Sequence, residues 1–317
     1  MELLKEDGCI GEKAFHGEKE CFFQPFYNVE KKRIWGAEAL FRLKDENGNY
    51  YNMDQLAAKA EEEGWIAEID RWVFREACRR IPELRAYGLK RININLSPEV
   101  CEVPETVPNI MQILRKYEVS RSEVCMEITE MCKVRNAENF SCMVEQLSSQ
   151  GIRLALDDFG KGESNLLRLS QIPFQTLKLD KELVWGTEGS RMAEDLVEEI
   201  IRIAHRHNIQ VTAEGIETLD QARTLASWGC DYLQGYLIAP PLSYGKLLTF
   251  LEENGRINKD KKEKPMKKEN NGSRPLREEL NSSAVSEQNA AASPELANQA
   301  QILKELTEHF QVRKGTC

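Results

Sequence analysis

The sequence predicts an α/β barrel, a closed sheet of eight strands surrounded by helices, over residues 20–254. In this range, short runs rich in β-branched and aromatic residues alternate with amphipathic, helix-like stretches. The range also approaches the roughly 250 residues that a typical barrel of this kind uses. Polar residues recur where the predicted strands end, as expected when strand ends meet at one mouth. An open doubly wound sheet is the alternative, but no GxGxxG sequence follows the first strand, which weakens a dinucleotide-binding interpretation.

The eight predicted strands are short apolar runs between turn-forming or charged residues. They lie at residues 21–29, 34–43, 91–97, 124–130, 152–158, 176–180, 209–215 and 231–236. Most of the segments between them carry apolar residues at helical spacing, as in residues 66–80 and 193–207. This order favours strands and helices that alternate along the chain.

Both ends of the chain differ from this pattern. Residues 1–19 are predicted to be a short polar extension, residues 20–254 the folded domain, and residues 255–317 a disordered polar tail. Residues 255–278 contain nine Lys or Arg against four Asp or Glu, so they bury too little apolar surface to offset the entropy of ordering. Residues 294–314 have the spacing of one short amphipathic helix, which would contact a protein partner or have no function.

The composition predicts a cytoplasmic protein. Hydrophobic residues make up 41% and charged residues 30% of the chain, and no apolar run of about 18 residues predicts a membrane span. The polar N-terminus does not resemble a signal peptide. Nine cysteines without a CxxC pair indicate reduced thiols, and the net charge of -9 argues against nonspecific DNA binding. A zinc site is not expected, because no histidine lies at ligand spacing from a cysteine pair.

Polar side chains at the strand ends are the candidate functional residues. They are Glu38, Asn95, Glu127, Glu130, Asp157, Asp158, Lys178, Asp180, Glu214, Glu217 and Gln234. So many carboxylates at one mouth would repel one another and raise each other's pKa. Divalent cations remove this conflict, and oxygen ligands of this kind suit Mg²⁺ or Mn²⁺.

The adjacent pair Asp157 and Asp158 fits two metal ions if the backbone turns at the strand end and directs both side chains inward. Two ions about 3.5–4 Å apart can activate water and stabilise both oxygens of a phosphoryl displacement. A single carboxylate at a strand end is usually a helix cap or a surface charge; the recurrence at strand after strand favours a site. Lys178, inside an apolar strand, requires an anion or a carboxylate beside it.

With these residues the sequence resembles the EAL-domain family of bacterial cyclic di-GMP phosphodiesterases. The family's motifs occur in its order: QP, EALFR, NLSP, EITE, DDFG, KLD, AEGIET and QGY. They extend from Gln24 to Pro241, a span of 218 of the 317 residues. The resemblance implies a TIM-like (β/α)8 barrel with one antiparallel strand. It also implies a phosphoric diester hydrolase that opens cyclic di-GMP to linear pGpG with two Mg²⁺ or Mn²⁺ ions.

The resemblance also implies roles for individual residues. One metal would be held by Glu38, Asn95, Glu127 and Asp157, and the other by Asp157, Asp158 and, partly through water, Glu214. Lys178 would contact the attacking water and stabilise the developing charge; Glu38, Glu214 and Glu217 would assist catalysis. Glu130 would anchor the loop after the paired aspartates. The implied substrate-binding residues are Gln24, Leu40, Arg42, Asp180, Gln234 and Pro240.

One loop departs from the family pattern. The family commonly has DDFGTGYSSL, whereas this chain has DDFGKGESNL, with Lys161, Glu163 and Asn165 at the changed positions. The leading interpretation is an active phosphodiesterase, because every implied metal ligand is present. The alternative is a cyclic di-GMP receptor or protein-binding regulator with little or no turnover. A homodimer and a protein partner at the tail are further expectations.

Overall fold

The computed structural model of the chain describes residues 17–101, 103–129, 136–161, 173–262, 302 and 305. Within these ranges lie nine strands. They are β1 (Glu18–Asn28), β2 (Arg33–Lys44), β3 (Arg91–Asn95), β4 (Val124–Thr129), β5 (Arg153–Phe159), β6 (Thr176–Leu179), β7 (Gln210–Ala213), β8 (Tyr232–Gln234) and β9 (Leu242–Ser243).

Helices follow most of the strands. They are α1 (Met53–Glu63), α2 (Ile66–Ala86), α3 (Pro98–Cys101), α4 (Thr106–Lys116), α5 (Ala137–Ser149), α6 (Lys181–Trp185), α7 (Arg191–Arg206), α8 (Leu219–Ser227) and α9 (Tyr244–Lys262). A short 3-10 helix, Arg121–Glu123, precedes β4. Their starts follow sequence signals: Ser190 caps α7, and Thr218 forms a capping box with Gln221 at α8.

The strands close into a barrel. Strands β2 to β8 pair in parallel in chain order, and β1 pairs antiparallel with both β2 and β8. Strand β9 adds a short pairing to β1 through Phe22 and Phe23. The predicted fold class, a (β/α)8 barrel with one antiparallel strand, is therefore confirmed, and an open doubly wound sheet is excluded.

The apolar core lies between the strands and the surrounding helices, whereas the inside of the barrel is polar near its mouth. In β6, Leu177 and Leu179 are fully buried in the apolar cluster, and Lys178 between them points into the barrel. At Gly36 in β2 a Cβ atom would lie 2.2 Å from the Arg91 carbonyl oxygen and 2.4 Å from the Phe26 ring. Strand packing at this point therefore requires glycine.

Helix α9 continues to Lys262, past the boundary predicted at residue 254. The other described residues of the predicted tail are Ile302 and Glu305; Ile302 is partly buried against the apolar cluster. The remainder of residues 263–317, and residues 1–16 of the predicted N-terminal extension, lie outside the described residues. In the part of the chain that the structure describes, no helix has both the length and the apolar character needed to cross a bilayer.

Candidate active site

Lys178 lies at the centre of a cluster of four carboxylates in the barrel mouth. Its Nζ atom is 2.8 Å from Glu214 Oε1, 2.9 Å from Glu127 Oε1, 3.1 Å from Asp157 Oδ1 and 3.4 Å from Glu38 Oε2. The lysine side chain is only 1% exposed. Because the distances are short and the lysine is buried, the ammonium group and the four carboxylates interact strongly, and the protonation of each depends on the others.

Five strands deliver the members of this cluster. Glu38, Glu127, Asp157 and Lys178 belong to β2, β4, β5 and β6, and Glu214 follows β7 directly. These strands run in parallel, so side chains at corresponding heights point to the same mouth. Sequence-distant carboxylates thereby meet around one ammonium group.

The paired aspartates depend on an irregular backbone at the end of β5. Asp158 has a φ of +56°, in the left-handed region, and the β5–β6 register shifts between Leu156 and Phe159. The Asp158 N–H donates to Asp157 Oδ1 over 2.9 Å. In a regular strand the two side chains would lie on opposite faces; here both line one cavity.

Amide side chains fix the orientation of the carboxylates. Asn95 Nδ2 donates to Glu38 Oε1 over 3.1 Å, and Gln234 Nε2 donates to Glu38 Oε2 over 2.7 Å. Asn93, which the sequence analysis did not single out, donates from Nδ2 to Glu127 Oε1 over 2.8 Å. Because the amides hold both oxygens of Glu38 and one oxygen of Glu127, these two carboxylates are oriented before any ligand binds.

Burial controls the protonation of the cluster. It raises the pKa of Glu127 well above its usual range, raises that of Asp157, and raises that of Glu214 to about 8. Burial would also raise the pKa of Glu38, but the Lys178 ammonium and the Gln234 and Asn95 hydrogen bonds lower it overall. One ammonium group therefore does not compensate four carboxylates, and the cluster favours additional positive charge.

Burial would lower the pKa of Lys178, but its carboxylate neighbours, Asp157 first, hold that pKa well above the ordinary value. The lysine is consequently charged throughout the neutral range.

The donor atoms fit a divalent cation. Glu38, Glu127 and Asp157 each offer a carboxylate oxygen, and these three oxygens lie within 4.8 Å of one another. Glu127 Oε2 is buried and has no hydrogen-bond partner among the described residues. A buried carboxylate oxygen without a donor has the ligand capacity that a hard cation such as Mg²⁺ or Mn²⁺ uses.

A cavity of about 380 Å³ opens above the cluster. The predicted site residues that line it are Gln24, Glu38, Leu40, Asp157, Asp158, Lys178, Asp180, Glu214, Glu217 and Gln234. Gln24 is held by its Nε2 hydrogen bond to the Ala239 carbonyl, at 3.3 Å. Asp180 also caps α6, accepting from the Glu182 N–H over 2.8 Å.

Two of the predicted substrate-binding residues are not among the residues that line this cavity. Arg42, two residues after Leu40 in β2, donates from Nη1 to the Phe41 carbonyl, and its guanidinium lies 5.5 Å from the Phe22 ring centroid. Pro240 follows Ala239, whose carbonyl holds Gln24, but like Arg42 it is not among the residues that line the cavity. Glu130 lies outside the described residues.

The cavity wall also includes side chains that the sequence analysis did not assign to the site. These are Lys181, Trp185 and Tyr236, next to Gly215 and Gly235. Lys181 directly follows the KLD sequence and Tyr236 directly follows QG, and this proximity could have identified both residues as part of the site. Trp185 is not adjacent to any of these motifs, and it reaches the cavity wall only because helix α6 ends there.

Comparison with known proteins agrees with this geometry. The EAL domain family matches residues 12–241. The signaling protein YkoW of Bacillus subtilis is 33% identical over 233 residues, which cover 73% of this chain and 29% of that protein. The cyclic di-GMP phosphodiesterase PA2567 of Pseudomonas aeruginosa is 29% identical over 232 residues, which cover 73% of this chain and 39% of that protein. The chain thus spans less than two fifths of the length of these two relatives.

Solved structures show the same architecture. The Pseudomonas aeruginosa MucR phosphodiesterase in complex with c-di-GMP superposes with a TM-score of 0.67 at 29% identity, covering 72% of this chain and 94% of that one. The EAL domain of Mycobacterium smegmatis DcpA gives a TM-score of 0.63 at 28% identity, with coverage of 75% and 99%.

Proposed function

The chain belongs to the EAL domain family, and we propose that it hydrolyses cyclic di-GMP to linear pGpG in a reaction that requires Mg²⁺ or Mn²⁺. The observation that carries this proposal is the cluster of four carboxylates, three of them buried, around the buried Lys178 at the barrel mouth. Relatives that bear the name cyclic di-GMP phosphodiesterase, and the MucR complex with c-di-GMP, support this choice of substrate.

Two sets of ligands are proposed for the cations. Glu38, Asn95, Glu127 and Asp157 would hold one ion, and Asp157, Asp158 and Glu214 would hold the other. When bound, the cations would lower the pKa of a water molecule and offset negative charge on the phosphodiester.

The chain's own residues position and stabilise the reacting groups. The Lys178 ammonium lies among the carboxylates, where it can donate to the attacking water and stabilise charge that develops on phosphate oxygens. Asn95 and Gln234 keep both oxygens of Glu38 in place. Glu217, at the cavity wall, is the proposed support for water and substrate on the β7 side.

Product analysis tests this function. Purified protein is incubated with cyclic di-GMP and Mg²⁺, Mn²⁺, Ca²⁺ or EDTA, and the products are separated by chromatography. We expect pGpG with Mg²⁺ or Mn²⁺ and none with EDTA; Ca²⁺, which prefers longer bonds and more ligands, should support little turnover. Glu38→Ala should abolish hydrolysis. The matched control is Glu30→Ala, which removes an exposed glutamate of the β1–β2 turn.

Full activity of Glu38→Ala, or hydrolysis in EDTA, would contradict the metal assignment. Binding of cyclic di-GMP without any product would favour the receptor alternative instead. Light scattering of the same preparation would test the expected homodimer, and co-purification with and without residues 263–317 would test the expected protein partner.

A further inference from the structure

The indole ring of Trp185 lies on the wall of the active-site cavity. Trp185 ends helix α6 and remains 40% exposed. The same wall includes Glu214, Glu217 and Tyr236, and Tyr236 is 65% exposed. Single exposed aromatic residues are common on protein surfaces, so exposure alone assigns no role to Trp185.

The ring is held in place, unlike a freely rotating surface side chain. Its Nε1 atom donates to the Gly215 carbonyl over 2.8 Å, and Lys181 Nζ lies 5.6 Å from the ring centroid. Gly215 has a φ of +64°, and a Cβ atom there would lie 2.3 Å from Lys181 Cβ and 3.4 Å from Trp185 Nε1. The glycine thus allows β7, α6 and the indole to approach closely. A ring fixed before binding loses little further entropy when a ligand contacts it.

The position of the ring relates it to the charged cluster. The carbonyl that accepts its hydrogen bond belongs to the residue after Glu214, whose carboxylate contacts Lys178. With the proposed cations bound, the charged part of the cavity would suit a phosphodiester, but its carboxylates and ammonium groups offer no flat apolar surface for a purine. Trp185 supplies such a surface within the same cavity. Stacking on aromatic rings is the usual way in which proteins hold unpaired nucleobases.

We propose that Trp185 is a substrate-binding residue whose indole ring stacks on a guanine base of cyclic di-GMP. The inference rests on the proposed function, since it names the part of the site that holds the base of that substrate. Trp185 then contributes affinity and selectivity for purine-containing diesters, while the Lys178 cluster acts on the phosphodiester of any substrate that reaches it.

Two substrates separate these contributions. Initial rates are measured with cyclic di-GMP and with bis(p-nitrophenyl) phosphate, a diester without a purine, for wild type, Trp185→Leu and Trp185→Phe. Trp185→Leu should raise KM for cyclic di-GMP by about 10-fold or more, as typical for loss of one base-stacking contact. Trp185→Phe, which keeps an aromatic ring, should raise it less. Rates with the small diester should stay within about twofold of wild type.

Fluorescence provides a readout that does not depend on turnover. Cyclic di-GMP is titrated with Ca²⁺ in place of Mg²⁺ while tryptophan emission is recorded. Stacking should quench the emission of wild type and of Trp35→Phe, a control in β2 outside the cavity. In Trp185→Phe the quenching should be largely lost, and circular dichroism should show unchanged folding.

Several results would overturn the assignment. A Trp185→Leu protein with unchanged KM and Kd for cyclic di-GMP excludes stacking, even if wild type is an active phosphodiesterase. An equal loss of activity on both diesters means that Trp185 acts through Gly215 on the structure of the cluster. If wild type neither binds nor hydrolyses cyclic di-GMP while it cleaves the small diester, the proposed substrate fails, and the stacking assignment fails with it.

Discussion

Lys178 is the ammonium group at the centre of the carboxylate cluster, and its replacement should slow turnover and destabilise the fold. Lys178→Met keeps the aliphatic stem but removes the charge that contacts four carboxylates, three of them buried. We expect kcat to fall by about 10²-fold or more, because a preorganised charge stabiliser is lost. The variant should also melt at a lower temperature in EDTA, since unpaired buried carboxylates are destabilising. Steady-state kinetics and thermal melting measure the two effects.

Lys90→Met, at an exposed position before β3, is the control and should match wild type in both measurements. Retained kcat with a collapse of affinity would instead assign Lys178 to substrate binding alone.

Lys161 is expected to weaken cation binding at Asp158. Its Nζ atom lies 3.8 Å from Asp158 Oδ2, and the side chains are 50% and 30% exposed. Such an exposed pair contributes about 1 kcal/mol or less, which limits the effect to about fivefold. Lys161→Thr should therefore lower, by at most that factor, both the Kd for Mg²⁺ and the Mg²⁺ concentration that gives half-maximal activity. Calorimetry and a Mg²⁺ titration of the initial rate give these values.

Lys31→Thr, in the β1–β2 turn, serves as the control for Lys161. Superimposable titration curves for Lys161→Thr and wild type would show that the ion pair does not affect metal binding. Glu163 is two residues from Lys161 in the sequence and is predicted to pair with it and reduce its effect; this residue lies outside the described ranges, so the pairing stays a prediction.

At the scale of residues, the strand pattern predicts that Glu127, Asp157 and Lys178 meet at one mouth, because each lies in the carboxyl-terminal half of a parallel strand. Glu38 lies in the middle of β2, and only the EALFR motif marked it. Asn93 was missed because it lies within β3 rather than at its end. Trp185 was missed because its place on the wall depends on a hydrogen bond to Gly215, thirty residues away in the chain, which no local pattern encodes.

At the scale of elements, Asp70 connects helix α2 to the segment that leads from β3 into α3. Its Oδ2 atom accepts from the Ser97 N–H over 2.6 Å, two residues after Asn95. Burial raises the pKa of Asp70 from 3.8 to about 6, although the Ser97 hydrogen bond acts in the opposite direction. Folding therefore takes up a proton between these two values, and the contribution of Asp70 to the free energy of unfolding falls as pH rises through them.

Asp70→Asn should remove this pH dependence while keeping an oxygen for the Ser97 N–H. Two pKa units correspond to about 3 kcal/mol. As pH rises from about 4 to 7, the free energy of unfolding of wild type should therefore fall by up to that amount relative to that of Asp70→Asn. Urea denaturation across this range measures the difference, in which the titration of the remaining groups cancels. Asp195→Asn, at an exposed position of α7, is the control for removal of a surface carboxylate. A difference between Asp70→Asn and wild type that does not vary with pH would contradict the buried, protonated state of Asp70.

Element boundaries were harder to predict than element types. Strand β7 ends at Ala213, before the predicted end at residue 215, because Gly215 takes a left-handed conformation that turns the chain. The left-handed backbone of Asp158 is likewise unusual for a non-glycine residue, and only its position beside Asp157 suggested a turn. Both left-handed residues lie at the mouth of the barrel, where successive side chains no longer point to opposite faces of the strand.

At the scale of the whole molecule, the alternation of strands and helices predicted the barrel but not the direction of its first strand. That direction came from the resemblance to a family, although the sequence holds a physical reason for it. Only four residues separate β1 from β2, and a connection of that length cannot make the crossover that parallel strands need. The antiparallel strand β1 is thus a consequence of a hairpin that opens the fold.

The tail provides the last prediction. Composition predicts that residues 255–317 contribute nothing to folding, yet Ile302 is partly buried against the apolar cluster of the barrel. Removal of residues 263–317, which leaves α9 intact to Lys262, should therefore lower the melting temperature by a few degrees, as expected for loss of about 1–2 kcal/mol of apolar contact. Ile302→Asp in the full chain should reproduce most of this loss, and Ile302→Val, which stays apolar, should reproduce little of it. Identical melting curves for wild type, the truncated chain and Ile302→Asp would show that the contact does not stabilise the barrel. A loss on truncation without a loss in Ile302→Asp would move the stabilising contact to another residue of the tail.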